Sequence, residues 1–170
     1  MSELKQNYYG SLCTEMYEIL HEQAPQDELD FYLSYAEKGK KILEPLCGSG
    51  RFLIPFLERG FDIFGMDLSE EMLGKLKRKA PNARVMQADI ISFTAEEKFD
   101  YIFMDPPYNK GFEDEVLAVL NDSTICTPDT VVIAESSLET EISDFEELKV
   151  SRVKKYKTNK HTFLMKTQED

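Results

Sequence analysis

The sequence predicts an α/β fold with a doubly wound, mostly parallel sheet and helices on both faces. Three observations support this fold class. Short apolar runs alternate with helical patterns over most of the 170 residues, as βαβ units require. A glycine turn, Cys47-Gly48-Ser49-Gly50, separates the first apolar run from a helical pattern. Two strand patterns at 150–158 and 161–167 follow each other directly, which predicts a hairpin and one antiparallel strand.

Two helical patterns precede the first strand. Apolar residues at helical spacing predict a helix over 11–22. Pro25 is placed to open a second helix, and Gly39 stands where such a helix would end. We therefore expect a single domain, in which residues 1–39 form a helical cap and residues 40–170 form the core. The cap could cover a ligand site or line a substrate pocket.

The core alternates strand and helix patterns in the order that a parallel sheet requires. Ser69 is the predicted N-cap of a helix with an acidic first turn and a basic end, which suits the helix dipole. Pro106 and Pro107 end the fourth strand, because proline cannot donate to a central ladder. Residues 139–148 are expected to form a loop or a short helix. The other predicted strands lie at 42–46, 62–66, 83–89, 99–104 and 130–134, and the other predicted helices at 52–57 and 112–120.

The glycine turn is the first candidate functional feature. Glycines carry no Cβ, so backbone N–H groups and the helix N-terminus can lie directly against a ligand. Glu44 precedes the turn, and Asp67 follows Gly48 by nineteen positions at the end of the next strand pattern. A carboxylate at this spacing reaches the ribose hydroxyls of a bound nucleoside. The combination favours a nucleoside site over an ordinary turn between a strand and a helix.

Composition limits the classes of partner. The net charge of −12 opposes strong non-specific binding to nucleic acid. The last segment is nevertheless basic, and two interpretations stay open for it: a solvated strand face, or a local patch that contacts phosphates. The basic residues of this segment are Arg152, Lys154, Lys155, Lys157, Lys160 and Lys166.

Several classes of protein are disfavoured. No apolar run approaches the roughly 20 residues that cross a bilayer, so we expect no membrane partner. The first ten residues contain no signal-peptide apolar core, so a cytoplasmic location is expected. The three cysteines stand far apart and both histidines are isolated, so we expect neither a disulfide framework nor a metal site.

Four motifs resemble those of class I S-adenosylmethionine-dependent methyltransferases over residues 40–166: EPLCGSG at 44–50, MDLS at 66–69, ADI at 88–90 and DPPY at 105–108. The resemblance implies a Rossmann-like sheet of seven strands with the last inserted antiparallel, and S-adenosyl-L-methionine as the cofactor. Leu46 stands where the family usually has the first glycine of the turn. The implied cofactor contacts are Glu44, Cys47, Gly48 and Gly50 for the methionine portion, Asp67 for the ribose, and Leu68, Asp89 and Ile90 for the adenine.

The DPPY motif resembles that of methyltransferases that modify the exocyclic amine of a nucleobase. Such an amine is a poor nucleophile because its lone pair is delocalised into the ring. The resemblance implies that the Asp105 carboxylate and the Pro106 carbonyl accept its N–H groups, while Tyr108 stacks on the extruded base. A free aspartate has a pKa of about 3.9, so we assign Asp105 orientation and charge stabilisation rather than the role of a strong base.

The two halves of the chain resemble different subfamilies. Residues 99–166 are similar to bacterial small-subunit rRNA guanine-N2 methyltransferases. The opening, NYYGSLCTEMYEIL, resembles class I enzymes that act on small molecules, in which tyrosines such as Tyr9 cover the cofactor. A recombined or engineered chain, joined between Asp89 and Phe99, is one hypothesis that this difference raises.

Three functions therefore remain open. The first is methyl transfer to a nucleobase amine, best matched by guanine N2 in ribosomal RNA, with RNA as the partner. The second is methyl transfer to a small molecule, favoured by the acidic balance and the N-terminal helices. The third is a cofactor-binding domain without turnover. A nicotinamide-dependent oxidoreductase is the weakest alternative, because Leu53 stands where G-x-G-x-x-G needs its third glycine.

Overall fold

The computed structural model describes residues 23–90, 93 and 96–168. These residues form four helices and seven strands. The helices are α1 (Gln26–Tyr35), α2 (Leu53–Glu58), α3 (Glu70–Lys79) and α4 (Phe112–Asp122). The strands are β1 (Lys41–Pro45), β2 (Asp62–Asp67), β3 (Arg84–Gln87), β4 (Phe99–Met104), β5 (Cys126–Ser137), β6 (Leu148–Lys155) and β7 (Asn159–Lys166).

All seven strands form one sheet in the order β3-β2-β1-β4-β5-β7-β6. The first five strands pair in parallel, and β7 pairs antiparallel with both β5 and β6. The predicted fold class is therefore confirmed, including the terminal hairpin and its inserted strand. The chain reverses its direction of travel across the sheet between β1 and β4, which is where open α/β sheets place their ligands.

Helices cover the two faces of the sheet. On one face, α1, α2 and α3 bury residues such as Tyr32, Phe56 and Leu76 against the apolar side chains of β1, β2 and β4. On the other face, α4 buries Val116 and Leu120 against the opposite side of β1, β4 and β5. The predicted N-cap of α3 is also confirmed, because the Ser69 hydroxyl accepts the Met72 N–H.

One local prediction differs from the structure, and of two alternatives predicted for residues 139–148 the loop is the one observed. The α1 helix ends at Tyr35, before Gly39, because Ala36 is already extended. Residues 139–147 form no helix. They are a loop held by side chains of α4: Asp114 accepts from the N–H and hydroxyl of Ser143, and Asn121 accepts from the N–H of Glu147. The predicted helix over 11–22 lies outside the described residues. Within the part of the chain that the structure describes, no helix is long and apolar enough to cross a membrane.

Candidate active site

Carboxylates lie at the C-terminal ends of five neighbouring parallel strands. Glu44 is near the end of β1, Asp67 ends β2, and Asp89 follows β3. Asp105 follows β4 directly, and Glu135 is near the end of β5. Because the C-terminal ends of parallel strands meet at one edge of a sheet, these five residues surround the point where the strand order reverses.

The glycine turn has the backbone that its sequence suggests, but its amide groups are already used. Gly48 and Gly50 have φ angles of 55° and 92°, a region that glycine enters without steric cost. The N–H of Cys47 donates to the Met66 carbonyl, that of Gly48 to the Asp67 carboxylate, and that of Gly50 to the Cys47 carbonyl. These three N–H groups are therefore engaged within the chain, rather than free to donate to a ligand as the sequence suggested.

Leu46 also has a positive φ angle, of 59°. This left-handed conformation costs an L-amino acid about 1–2 kcal/mol, and it occurs at the position where the family usually has glycine. The leucine side chain lines the same crevice as Asp67 and Leu68. The substitution therefore keeps the turn and adds an apolar wall to the crevice.

One crevice brings together the residues predicted to hold the nucleoside. Asp67, Leu68, Asp89 and Ile90 all line it. The Asp67 carboxylate is 3% exposed and accepts the N–H groups of Gly48 and Ser69, both at 2.9 Å. Burial raises the pKa of Asp67, while these amide groups act in the opposite direction. A carboxylate oxygen accepts more than one hydrogen bond, so Asp67 keeps capacity for a ribose hydroxyl.

Glu44 is a buried carboxylate with an unsatisfied oxygen atom. Its side chain is 5% exposed, and its Oε2 atom has no hydrogen-bond partner among the described residues. Burial and the neighbouring Asp105 carboxylate raise the pKa of Glu44 well above its usual range. A buried acceptor without a donor is costly. The ammonium group of S-adenosylmethionine would supply both the donor and the missing positive charge.

Asp105 is paired with a residue that the sequence reasoning missed. The Arg51 guanidinium, directly after the glycine turn, forms an ion pair with the Asp105 carboxylate, and the two side chains are 15% and 11% exposed. Burial, with Glu135 as the second cause, raises the pKa of Asp105 to about 7, and Arg51 opposes this rise. The sequence GSGR shows an arginine directly after the glycine turn. Nothing in the neighbouring sequence indicates that this arginine reaches the DPPY motif.

Glu135 is the second functional residue that the sequence reasoning missed. Its Oε1 atom accepts the Tyr108 hydroxyl at 2.5 Å and the Asn159 side-chain amide at 2.7 Å. Its Oε2 atom accepts the Tyr32 hydroxyl at 3.1 Å and lies 3.4 Å from Nε2 of His161. Burial alone would raise the pKa of Glu135, but His161, Tyr108 and Asn159 together lower it. One ionised carboxylate thus joins the α1 helix, the DPPY motif and the β7 strand.

The part of the site around Asp105 is acidic. Oxygen atoms of Glu28, Asp105 and Glu135 lie within 4.8 Å of one another. Helix α1 supplies Glu28, so the described part of the predicted cap does reach the site. Three carboxylates so close together call for positive charge, and Arg51 provides one guanidinium. The prediction that no metal binds here stays a prediction.

The remaining predicted site residues differ in how far the structure describes them. Pro106 is buried behind Asp105. The Tyr108 ring is 38% exposed while its hydroxyl is held by Glu135, so the ring is anchored and one part stays open to a ligand. Tyr9, predicted to cover the cofactor, lies outside the described residues.

This fold, with carboxylates at its strand tips, is the fold of class I S-adenosylmethionine-dependent methyltransferases. Within that class the chain belongs to the family described as "Conserved hypothetical protein 95", whose model matches residues 29–165. The matched range covers both sides of the segment between Asp89 and Phe99. The recombined chain stays a hypothesis, because two joined halves of related domains would match the same family model.

Two curated relatives show how widely the class varies. The chain is 30% identical over 107 residues to "Ribosomal RNA small subunit methyltransferase D" of Escherichia coli strain K12, covering 58% of this chain and 54% of the relative. It is 30% identical over 112 residues to "dTDP-3-amino-3,4,6-trideoxy-alpha-D-glucopyranose N,N-dimethyltransferase" of Streptomyces venezuelae, covering 64% and 47%. The chain thus spans about half the length of these curated relatives.

Two solved structures support the fold alone. Magnesium protoporphyrin IX methyltransferase from Synechocystis PCC 6803, solved with bound SAM, matches with a TM-score of 0.72 at 13% identity, and the match covers 96% of each chain. A TehB-like SAM-dependent methyltransferase from Corynebacterium glutamicum matches with a TM-score of 0.69 at 18% identity, covering 91% of this chain and 98% of the other. At these identities the matches confirm the architecture and leave the acceptor open.

Proposed function

We propose that this protein transfers a methyl group from S-adenosyl-L-methionine to an amine nitrogen. The observation that carries the proposal is the position of Asp105, which lies at the tip of β4 beside Glu44, a buried carboxylate whose Oε2 atom has no hydrogen-bond partner among the described residues. When bound, the cofactor supplies its methyl group as a positively charged sulfonium. The surrounding carboxylates favour that charge.

The residues that hold the cofactor follow from the crevice. Glu44 accepts from the ammonium group of the methionine portion, and Asp67 accepts from the ribose hydroxyls. Leu68 packs on the adenine ring, while Asp89 and the Ile90 amide contact its edge. Four of these five residues already line one crevice.

The chain's own contribution to the reaction centres on Asp105. Its carboxylate and the Pro106 carbonyl accept the two N–H groups of the acceptor amine, which localises the nitrogen lone pair and directs it. A pKa near 7 also lets the Asp105 carboxylate take up the proton that the amine loses on methylation. Asp105 is thus a better proton acceptor than a free aspartate, beyond the orienting role that the sequence suggested. Positioning supplies the rest of the acceleration.

The best-supported acceptor is a nucleobase amine in RNA. DPPY resembles the motif of nucleobase amino-methyltransferases, and the anchored Tyr108 ring offers a partly exposed face for stacking. The ribosomal RNA methyltransferase of Escherichia coli is among the relatives. Guanine N2 is the specific amine that the second half of the chain favours by resemblance.

A small-molecule amine is the second candidate, and one observation favours it. Glu28, Asp105 and Glu135 form a well of negative charge, which would attract an amine that carries a positive charge before transfer. The Streptomyces venezuelae relative is an amino-sugar N,N-dimethyltransferase by name. A free small molecule of this kind would enter the site beneath α1. It would not be part of an extended nucleic acid that lies across the protein surface.

Calorimetry with S-adenosylmethionine and its demethylated product tests the cofactor site. Asp67→Asn should weaken cofactor binding by about 1–3 kcal/mol, the scale of hydrogen bonds to a charged group. Asp62→Asn, at the other end of the same strand and exposed to solvent, is the matched control and should leave the affinity unchanged. Equal affinities in both variants would contradict the ribose assignment.

Transfer of a radioactive methyl group tests the reaction. The acceptors are unmodified ribosomal RNA, free nucleosides and a panel of amino sugars. Asp105→Asn should abolish transfer while cofactor binding persists. Transfer to RNA supports the first acceptor, and transfer to amino sugars alone supports the second. Cofactor binding with no transfer to any acceptor would identify a binding domain without turnover.

A further inference from the structure

The β6–β7 hairpin carries a concentration of positive charge in an acidic protein. Residues 148–160 contain six lysine or arginine side chains and no acidic one, although the whole chain has 32 acidic residues and a net charge of −12. This separation is a property of the strand sequence, since β6 is an edge strand whose residues after Lys149 are all exposed. A solvated edge strand needs polar residues, but its charged residues do not all need to be positive.

Part of this positive charge is not paired with a carboxylate among the described residues. Lys155 and Lys157 are exposed, and no carboxylate among the described residues pairs with them. The Lys154 ammonium lies 5.3 Å from the ring centres of Phe31 and Tyr156, so its position is fixed by aromatic rings rather than by an acid. The hairpin surface, defined here as Lys154, Lys155, Tyr156 and Lys157, therefore offers three uncompensated cations.

The hairpin surface is joined to the acceptor side of the site. The Tyr156 N–H donates to the Asn159 carbonyl at 2.8 Å. The Asn159 side chain donates to the same Glu135 oxygen that holds the Tyr108 hydroxyl. The Tyr156 ring also lies 4.9 Å from the ring of His161, which contacts Glu135. The positive hairpin thus borders the acidic well that Asp105 and Glu135 form with Glu28.

Two partly exposed tyrosine rings complete this face. Tyr156 is 37% exposed and Tyr108 is 38% exposed, and both belong to the network around Glu135. Aromatic faces beside ammonium groups are the combination that binds single-stranded nucleic acid, because bases stack on the rings while phosphates contact the cations. An amine-bearing small molecule would need neither the cations nor the second ring.

We propose that the hairpin surface binds the phosphates of single-stranded RNA that flank the methylated base. This inference rests on the proposed function and assigns its acceptor to RNA. Negative and positive groups then have different roles. The carboxylates accept the N–H groups of the base, while the lysines contact the phosphates of the RNA backbone. The net negative charge of the rest of the protein then discourages RNA from binding elsewhere.

The test compares two double variants that change the net charge equally. Lys155→Glu with Lys157→Glu alters the hairpin surface. Lys40→Glu with Lys98→Glu alters two exposed lysines that precede β1 and β4, at the N-terminal ends of these central strands and away from the hairpin surface. Binding of a fluorescein-labelled 20-nucleotide single-stranded RNA of mixed sequence is measured by anisotropy over a range of salt concentrations, with the demethylated cofactor present.

The hairpin pair should raise the Kd for RNA by about tenfold and reduce the slope of log Kd against log salt by about 2, because each substituted lysine no longer neutralises a phosphate. The control pair should change the Kd by less than about twofold. Equal increases in Kd for both pairs, an unchanged Kd in the hairpin pair, or no RNA binding by the unsubstituted protein would overturn the proposal. Cofactor binding is measured by calorimetry in the same preparations. Cofactor binding without RNA binding would overturn the hairpin proposal alone, whereas a loss of cofactor binding by the unsubstituted protein would count against the proposed function.

Discussion

Arg51, the first residue after the glycine turn, forms an ion pair with Asp105, the first residue of the DPPY motif. The contact spans the point where the strand order of the sheet reverses, so it joins the proposed cofactor half of the site to the proposed acceptor half. A buried pair of this kind is costly to break on one side only. An acceptor amine that binds Asp105 must therefore share its carboxylate with Arg51 or displace the guanidinium.

The first prediction concerns the titration of Asp105. Its carboxyl resonance in a carbon-13 NMR titration should report a pKa near 7, because burial and Glu135 raise it. Glu135→Gln removes the negative neighbour and should lower this pKa, whereas Arg51→Met removes the positive neighbour and should raise it. Shifts in the reverse directions would contradict the electrostatic assignment.

The same titration has a consequence for stability. The pKa of Asp105 is higher in the folded protein than its ordinary value of 3.8, so the folded state favours the protonated form. The contribution of Asp105 to stability is therefore fully present below pH 3.8 and is lost as the pH rises towards 7. The proposed methyl transfer needs the Asp105 carboxylate, so we expect its rate to rise over the upper part of that range.

The second prediction concerns Glu44. Its pKa is raised, so its ionised form destabilises the fold at neutral pH, and Glu44→Gln mimics the protonated form. We expect a gain of about 1 kcal/mol, which raises Tm by about 2–4 °C for a protein of this size, together with a loss of cofactor binding. Glu58→Gln, on the exposed end of α2, should change neither quantity. A fall in Tm for Glu44→Gln would show that Glu44 is satisfied by the chain itself.

The third prediction compares two glycines. A Cβ on Gly65 would lie 2.5 Å from Leu53 Cδ1 and 2.8 Å from Cys47 Sγ, and both side chains are buried. Gly65→Ala should therefore cost about 1–3 kcal/mol through overpacking and disturb the base of the glycine turn. Thermal unfolding followed by circular dichroism measures the change.

Gly74→Ala is the matched comparison for Gly65. Gly74 lies inside α3, and the nearest atom to an added Cβ is Arg78 Nη1 at 3.7 Å, which is ordinary contact. We expect this substitution to stabilise the protein by about 0.5–1 kcal/mol, because alanine favours the helix. Similar effects at the two positions would show that β2 tolerates a side chain at Gly65.

The parts of the fold with a local signal could be predicted from the sequence. The glycine turn, the Ser69 cap and the proline pair after β4 each act through neighbours in the chain. The hairpin was visible because two strand patterns stood side by side with only Asn159 and Lys160 between them. The convergence of Glu44, Asp67, Asp89 and Asp105 followed from strand order alone, since parallel strands align their C-terminal ends.

The contacts around Asp105 and Glu135 had no local signal. Glu135 is opposite His161 because β5 and β7 pair in one particular register, and a shift of one residue would turn both side chains to the other face. Tyr32 and Glu28 reach the site only because α1 packs across the sheet. Those distances depend on tertiary packing, which periodicity along one chain does not encode.

The position of β7 has a consequence for how the protein is made. Strand β6 leaves the ribosome before β7, yet its partner in the sheet is β7, and β7 itself must first align beside β5. Until β7 has aligned beside β5, β6 has no partner in the sheet and is a basic strand that carries the exposed residues Val150 and Val153. The positive charge of β6 should oppose its aggregation in that state, because the β6 strands of two chains carry the same charge and repel each other before they can pair edge to edge.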